Sequence, residues 1–243
     1  MKTGHIFAGA GGGLLADLIL GHEPIEAVER NEKICRDLAS RTAWFPSLRV
    51  HCADVHGFDA TDWQGRVDIL HAGIPCPRWS AARRGRGGTY DGLADTLRVV
   101  SQCRPPIVFL ECVAGFAREH QRVESGFREI KYGVTRALVL DASSLGAPHS
   151  RPRYWALGYS YDEGESMLRD DAEVAFLPPI DAGLWWETDA REIRMADGVA
   201  PRVHRYGQIG NGQVPLQAAA AYLMLGGPTS SVSAPVPEEP KNG

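Results

Sequence analysis

Short apolar runs alternate with amphipathic stretches along most of the chain. Runs rich in β-branched residues predict strands, and apolar residues recurring every three or four positions predict helices. The predicted strands cover residues 5–8, 25–28, 49–53, 67–72, 107–110, 136–140 and 154–158. The predicted helices cover residues 14–20, 32–41, 93–103, 123–131 and 216–225. This alternation is typical of a doubly wound α/β fold, in which helices cover both faces of a mostly parallel sheet.

The pattern breaks after the last predicted strand. Residues 160–200 combine charged turns, a Leu-Pro-Pro run and paired tryptophans with little clear period, and residues 226–243 are rich in Pro, Ser and Glu. A segment of the latter composition has little to bury. We therefore predict a main domain over 1–158, an insert over 159–200, a return to the main domain over 201–225 and a disordered tail over 226–243.

Composition limits the class of protein. The chain has 243 residues, 44% of them apolar, which is enough for one full core. No apolar run approaches the ~20 residues that span a bilayer, and a glycine-rich motif by residue 9 leaves no room for a signal peptide, so we expect a cytoplasmic protein with no membrane partner. The five cysteines are scattered without a C-x-x-C pair, so we expect reduced thiols and no metal site. The net charge of −4 argues against indiscriminate coating of nucleic acid.

A glycine-rich loop follows the first predicted strand and leads into the first predicted helix. It consists of Phe7, Ala8, Gly9, Ala10, Gly11, Gly12 and Gly13. Glycines there let a ligand lie against bare backbone at a helix N-terminus, which suits a nucleotide-like cofactor. The dinucleotide fingerprint requires a third glycine where Leu14 stands, so the spacing differs from the hydride-transfer motif. On its own, the loop is equally consistent with a tight turn that packs a helix on a strand.

Two acidic residues are predicted to lie beside this loop. Glu29 ends the second predicted strand, and Asp54 follows the third. A carboxylate at the first place can accept both ribose hydroxyls, and one at the second can accept an adenine amine. Either acid alone is more simply explained as the cap of the helix that follows. Taken with the loop, the pair favours cofactor binding.

A cysteine and a glutamate follow two further strands. Cys76 comes after the strand at 67–72, and Glu111 ends the strand at 107–110. The carboxyl ends of neighbouring strands in an open α/β sheet face a common crevice, so a sulfur nucleophile and a carboxyl group would meet there. This pairing suggests attack on an electron-poor ring. The alternatives are a buried structural cysteine and a glutamate that caps a loop.

These blocks together resemble DNA (cytosine-5) methyltransferases. In family order they are FAGAGGG (7–13), Glu29, Asp54, GIPCPRWS (73–80), ECV (111–113), HSRPR (149–153) and GNGQVP (210–215), and they span nearly the whole chain up to the tail. The resemblance implies a Rossmann-like mixed seven-stranded methyltransferase sheet, with 1–158 as the catalytic and cofactor-binding domain and 159–200 as a much reduced target-recognition insert. It also implies S-adenosyl-L-methionine as methyl donor and a cytosine flipped out of double-stranded DNA as acceptor.

The resemblance also assigns roles to residues. Cys76 would attack carbon 6 of the cytosine, and Glu111 would hold ring nitrogen 3, which requires a raised pKa in a dry pocket. Arg153 would contact the base and Arg151 would assist, although a solvated strand edge is nearly as good an explanation for Arg151 alone. The cofactor-binding residues would be Phe7, Gly9, Gly11, Gly12, Glu29, Asp54, Asn211 and Val214. The DNA-contacting residues would be Arg78, Ser80, Arg83, Arg84 and Arg86.

The chain departs from the family pattern in places. Pro77, Cys112 and His149 replace a glutamine, an asparagine and a glutamine of the family motifs, and fewer than fifty residues between Gly158 and Tyr206 remain for target recognition. We therefore expect a short or degenerate target site. The alternatives are a catalytically inactive DNA-binding relative and an RNA cytosine methyltransferase of the same fold, whose Cys-Phe-Thr signature is absent. We expect a monomer of phage-like type, with a cognate restriction endonuclease as a candidate partner.

Overall fold

The computed structural model describes residues 1–75, 90, 92–169 and 213–229. Most of the predicted insert and nearly all of the predicted tail lie outside these residues. The same holds for a set of predicted site residues, namely Cys76, Arg78, Ser80, Arg83, Arg84, Arg86 and Asn211.

The described residues form an eight-stranded sheet with helices between its strands. The strands are β1 (Lys2–Ile6), β2 (Glu23–Glu29), β3 (Arg49–Cys52), β4 (Ile69–Gly73), β5 (Ile107–Val113), β6 (Tyr132–Val134), β7 (Leu138–Asp141) and β8 (Pro152–Ser160). The helices are α1 (Gly12–Leu20), α2 (Glu32–Ala39), α3 (Gly92–Cys103), α4 (His120–Glu129), α5 (Gly164–Met167) and α6 (Pro215–Met224). Short 3₁₀ turns lie at Val55–Gly57, Thr61–Trp63, Ala114–Glu119 and Ala142–Leu145.

The strand order is β3-β2-β1-β4-β5-β8-β6, and β7 also pairs with β8. The strands from β3 to β5 run parallel, whereas β8 is antiparallel to β5, β6 and β7. The predicted doubly wound mixed α/β fold is therefore confirmed.

The strand count differs from the predicted seven. The added strand, β6, has only three residues and is too short for a periodic signal. It pairs with the end of β8 near Ser160, while β7 pairs with the beginning near Pro152, so the two share one edge of β8.

Helices cover both faces of the sheet. Val108 and Leu110 of β5 pack in one core cluster with residues of α3 and α4. The alternate residues Ile107 and Phe109 pack in a second cluster with residues of α1 and α6. Parallel strands buried on both faces read as continuous apolar runs, which is why β4 and β5 could be predicted from the pattern. Among the described residues, no helix combines the length and apolar content needed to cross a bilayer.

Candidate active site

A crevice is expected where the strand order reverses. The chain proceeds from β1 to β2 and β3 on one side, and from β4 to β5 on the other, so the loops after β1 and β4 diverge. Ligands of open α/β sheets bind at this place, beyond the carboxyl ends of the strands. The glycine loop follows β1, Glu29 ends β2 and Glu111 lies near the carboxyl end of β5, so all three lie at this edge.

The glycine loop leaves β1 through a series of left-handed residues. Phe7 has a φ of 56°, Gly9 of 54° and Gly11 of 88°. A left-handed phenylalanine costs about 1 kcal/mol or more and is a feature of functional sites. It also explains why β1 ends at Ile6, whereas the predicted strand continued to residue 8. A methyl group built on Gly9 would meet only the Phe7 carbonyl oxygen, at 3.9 Å, so this backbone is open to a ligand.

Helix α1 begins at this loop without a side-chain cap. Its N-cap is Gly11, which offers no side-chain acceptor to the first N–H groups. Uncapped N–H groups at a helix N-terminus attract acceptor or anionic groups of a ligand. Together with the open Gly9 backbone, this end of α1 fits a cofactor with a carboxylate or ribose beside it.

Gly12 and Gly13 lie against another segment of the chain. A Cβ on Gly12 would lie 2.1 Å from the carbonyl oxygen of Gln213, and a Cβ on Gly13 would lie 2.7 Å from its Oε1. Both distances are shorter than van der Waals contact. These glycines therefore make room for the chain segment that precedes α6, and the cofactor-binding role of Gly12 stays a prediction.

Glu29 binds the glycine loop. Its Oε2 accepts the N–H of Gly9 at 2.9 Å, and its Oε1 accepts the N–H of Asn31 at 2.8 Å. Helix α2 is capped by Asn31 instead, whose Oδ1 accepts from Lys33 and Ile34. The interpretation of Glu29 as a simple helix cap is therefore wrong. Each carboxylate oxygen keeps a further acceptor site, which suits ribose hydroxyls.

Asp54 does act as a cap, and one of its oxygens faces a cation. Its Oδ1 accepts the N–H of His56 at 3.0 Å and begins the 3₁₀ turn at Val55–Gly57. Its Oδ2 lies 3.7 Å from Nη1 of Arg30, and both side chains are more than half exposed. The cap and a ligand contact are compatible, because they use different oxygens.

Tyr90 is an aromatic residue of this rim that the sequence analysis did not single out. Its ring meets the ring of Phe7 edge to face, with centroids 6.5 Å apart. Burial, together with the carboxylates of Asp95 and Asp54, raises the pKa of Tyr90, so its hydroxyl stays protonated. No motif marks this residue, because only the fold brings it to the glycine loop.

The second half of the site is built on β4 and β5. Gly73 of β4 is in register with Glu111 of β5, and the N–H of Ile74 donates to the carbonyl oxygen of Glu111 at 2.8 Å. The predicted adjacency of these strands is confirmed. The turn at Ile74 and Pro75, which leads into Cys76, therefore begins beside Glu111.

Glu111 is a buried acid held by arginine. Its side chain is 12% exposed, and Nε of Arg153 lies 3.0 Å from its Oε1. Burial raises the pKa of Glu111, although Arg153, Arg151 and a hydrogen bond from Gln213 act to lower it. A raised pKa agrees with the expectation for an acid that shares its proton with ring nitrogen 3 of cytosine.

The two arginines of the HSRPR motif are positioned by Asp141 and the sheet. The N–H of Arg151 donates to Oδ1 of Asp141 at 2.7 Å, and Oγ of Ser150 donates to Oδ2 at 2.6 Å. Arg153 lies within β8, which is paired on one side with β5 and on the other with β7, so this strand is not an edge. Burial and Arg153 lower the pKa of Arg151, while Glu111 opposes the change. Both arginines thus act electrostatically on Glu111.

Gln213 connects the two halves. Its backbone packs on Gly12, its amide nitrogen lies 3.3 Å from the position of a Cβ on Gly73, and its side chain hydrogen bonds Glu111. The motif GNGQVP contains it, but the roles predicted from that motif fell on Asn211 and Val214. Val214 is half-buried and is the N-cap residue of α6. The sequence feature that pointed to Gln213 was its position between Asn211 and Val214 in this motif.

Several known proteins are similar to this chain. The family model for C-5 cytosine-specific DNA methylase matches residues 1–179. The type II methyltransferase M.CviJI of Paramecium bursaria Chlorella virus IL3A is 30% identical over 174 residues, which cover 69% of this chain and 46% of that protein. M.HindV of Haemophilus influenzae is 30% identical over 177 residues, with 69% and 56% coverage. The chain thus spans about half the length of the curated relatives it matches.

A solved structure shows the same fold. A prophage-encoded protein from E. coli, described as a DNA modification methyltransferase, is 21% identical with a TM-score of 0.56, covering 74% of this chain and 51% of that one. Methyltransferases of this kind use S-adenosylmethionine as the methyl donor. Because the family model covers well over half of the residues, the chain belongs to the C-5 cytosine-specific DNA methylase family.

Proposed function

We propose that this chain transfers a methyl group from S-adenosylmethionine to carbon 5 of cytosine in double-stranded DNA. The observation that carries the proposal is Glu111, a buried carboxyl group with a raised pKa, paired with Arg153 beside the turn that leads into Cys76. Membership of the family supports the class of reaction. The roles of individual residues, the flipped base and the covalent step are part of the proposal.

The donor would be held on the glycine-loop side. The open backbone of Gly9 and the uncapped N-terminus of α1 fit a ligand, and the acceptor sites of Glu29 and Asp54 fit its hydroxyl and amine groups. Phe7 and Tyr90 border the same space with aromatic rings. S-adenosylmethionine supplies an electrophilic methyl group when it is bound there.

Cys76 would begin the reaction. Carbon 5 of cytosine is a poor nucleophile, so the thiolate of Cys76 first bonds to carbon 6 of the flipped base. The ring electrons move toward nitrogen 3, where Glu111 supplies a proton, and carbon 5 becomes an enamine-like nucleophile. Free cysteine has a pKa of about 8.5, so positive charge near the loop would favour the thiolate.

Glu111 and Arg153 would then stabilise the adduct. Once Glu111 has given up its proton, its carboxylate is neutralised by the guanidinium 3.0 Å away. Carbon 5 takes the methyl group from the donor sulfonium, which leaves as a neutral thioether. Carbon 5 then loses its proton to a base, for which water is the candidate, and the electrons of that bond re-form the ring double bond and expel Cys76 as thiolate. Nitrogen 3 returns its proton to Glu111. Flipping the base costs a few kcal/mol, which phosphate contacts from Arg78, Arg83, Arg84 and Arg86 would offset.

Trapping on a modified base tests the proposal. Duplex DNA with 5-fluorocytosine cannot lose its carbon 5 substituent as a proton, so protein and DNA should remain covalently joined when the donor is present. We expect a denaturation-resistant band of the summed mass, which Cys76→Ala abolishes while still binding the donor. Cys52→Ala, which removes the exposed cysteine at the end of the outer strand β3, is the matched control and should trap normally.

Labelled donor separates the alternatives. With donor carrying a labelled methyl group, the proposal predicts label in duplex DNA and little in transfer RNA. An inactive DNA-binding relative would shift DNA in a gel but transfer no label, and label in RNA alone would indicate the RNA-modifying function. The monomeric state and the pairing with a restriction endonuclease stay predictions.

A further inference from the structure

Two histidines and one aspartate form a buried cluster beneath the glycine loop. His5 lies in β1, Asp17 in α1 and His71 in β4, and their exposed fractions are 3%, 0% and 2%. Nε2 of His5 lies 2.6 Å from Oδ2 of Asp17, and Nε2 of His71 lies 3.1 Å from Oδ1. The donor atoms of all three lie within 4.8 Å of one another.

The cluster has a charge that its neighbours do not balance with a permanent cation. The ion pairs that Asp17 forms among the described residues are with histidines, and none is with a lysine or arginine. A buried carboxylate without a compensating charge is strongly unfavourable.

Hydrogen bonds leave several of these atoms unsatisfied. Within the described part of the chain, Oδ1 of Asp17 and both ring nitrogens of His71 form no well-aligned hydrogen bond, and Nε2 of His71 lies 3.1 Å from this Oδ1. His22 adds a third imidazole, whose Nδ1 lies 3.6 Å from Oδ1 of Asp17. The other ring nitrogen of His22, Nε2, lies 3.2 Å from the carbonyl oxygen of Pro228.

We propose that His5, Asp17 and His71 bind one divalent transition-metal ion of the zinc type. Imidazole nitrogens and a carboxylate oxygen are the ligands that zinc takes at about 2.0–2.2 Å, so two ligands of one ion lie roughly 3.3 Å apart. The separations of 2.6 and 3.1 Å approach this value and would widen slightly around an ion. His22 is a third imidazole near the same carboxylate, outside the group of three close donor atoms.

Bound metal would join three elements that carry the cofactor half. His5 lies directly under the loop, since its Nδ1 is 3.2 Å from the position of a Cβ on Gly13. Oγ1 of Thr3 donates to Oδ2 of Asp17 at 2.5 Å and so fixes the orientation of the carboxylate. The role is structural, because the cluster is closed to solvent. The spacing of the cysteines gave no sign of this cluster, since its ligands are two histidines and an aspartate that are 12 and 54 residues apart in the chain.

Metal analysis of the unmodified protein is the primary test. The protein is unfolded with a chelator, refolded with excess Zn²⁺ and then desalted. We expect mass spectrometry to find about one equivalent of zinc per chain. The unfolding temperature should exceed that of protein refolded without metal by about 5–10 °C. Absence of retained zinc would overturn the proposal.

Variants and cobalt identify the ligands. His71→Gln and His5→Gln should lose the zinc. His51→Gln is the control and should keep it, because His51 lies on the outer strand β3 and pairs with Glu26 of β2. Cobalt in place of zinc should show the visible bands of a low-symmetry site with nitrogen and oxygen ligands. A strong near-ultraviolet sulfur band, or full zinc retention by His71→Gln, would place the ion at the cysteines and contradict the assignment.

Discussion

The glycine-loop side of the crevice and the Glu111 side meet at Gln213, but they are held by different interactions. On the loop side, backbone N–H groups bind Glu29, and glycines allow the chain at Gln213 to approach closely. On the other side, a buried acid is balanced by two arginines. The first arrangement provides shape for a bound cofactor, and the second provides a group whose protonation can change. Substitutions should therefore affect binding on one side and chemistry on the other.

The largest effect is expected from Glu111→Gln. The amide keeps a hydrogen bond to Arg153 but cannot transfer a proton to nitrogen 3, so kcat should fall about 10²- to 10³-fold. Donor affinity, measured by calorimetry, should change less than about twofold because the glycine loop is untouched. A variant that retained most of the turnover would remove Glu111 from the mechanism.

The thermal stability of Glu111→Gln tests the charge balance on the Glu111 side of the crevice. The pKa of Glu111 is raised in the folded protein, so its contribution to stability is fully present below the pKa of an unfolded glutamate, about 4.3, and is lost as pH rises through the folded value. Glu111→Gln should therefore unfold at an equal or higher temperature than the unmodified protein at pH 8. The difference should shrink toward pH 4. A large loss of stability at pH 8 would contradict the raised pKa.

Gly12→Ala should act on binding. Its Cβ would lie 2.1 Å from the carbonyl oxygen of Gln213, so the segment before α6 must move away from the loop. We expect the donor Kd to rise about 10- to 100-fold, with stability lowered by about 1–3 kcal/mol. Gly57→Ala is the matched control, because nothing lies within 4 Å of its Cβ position, and it should leave the Kd unchanged.

The double variant Arg83→Ala, Arg84→Ala tests whether these two arginines contact DNA. If each arginine contacts one phosphate, KM for DNA should rise about tenfold, and the dependence of log K on log salt should weaken by about 1.8. Donor binding should not change. Arg128→Ala, on the exposed part of α4, is the control. An unaltered salt dependence would remove these arginines from the DNA interface.

Asp141→Ala should have the smallest effect. Hydrogen bonds from Ser150 and from the N–H groups of Arg151 and Ser143 lower the pKa of Asp141, so it stays ionised above the unfolded value of about 3.9 and its contribution is lost only in acid. Without this carboxylate the segment carrying Arg151 loosens, and kcat/KM should fall about three- to tenfold at pH 7. Asp59→Ala removes a comparable turn aspartate bonded to Thr61 and should be neutral.

The local elements of this protein could be predicted from the sequence because they depend on local pattern. Buried parallel strands leave continuous apolar runs, so β4 and β5 were found within two or three residues. The loop after β1 was recognisable because its glycines and Glu29 occur at motif spacing. Glu111 could be placed beside the turn at Ile74 by the rule that parallel strands end at a common edge.

Contacts between distant segments were decided only by the tertiary structure. Gln213 reaches Gly12 and Glu111 because α6 packs against α1. The GNGQVP motif indicated the cofactor side but neither of these two contacts. His5, Asp17 and His71 form a cluster because β1 and β4 are adjacent across a crossover of more than sixty residues. Side-chain polarity and spacing determine which elements form and which chemistry is available. The pairing of strands determines which polar groups share a dry interior, and therefore which of them acquire partners, shifted pKa values or a site for an ion.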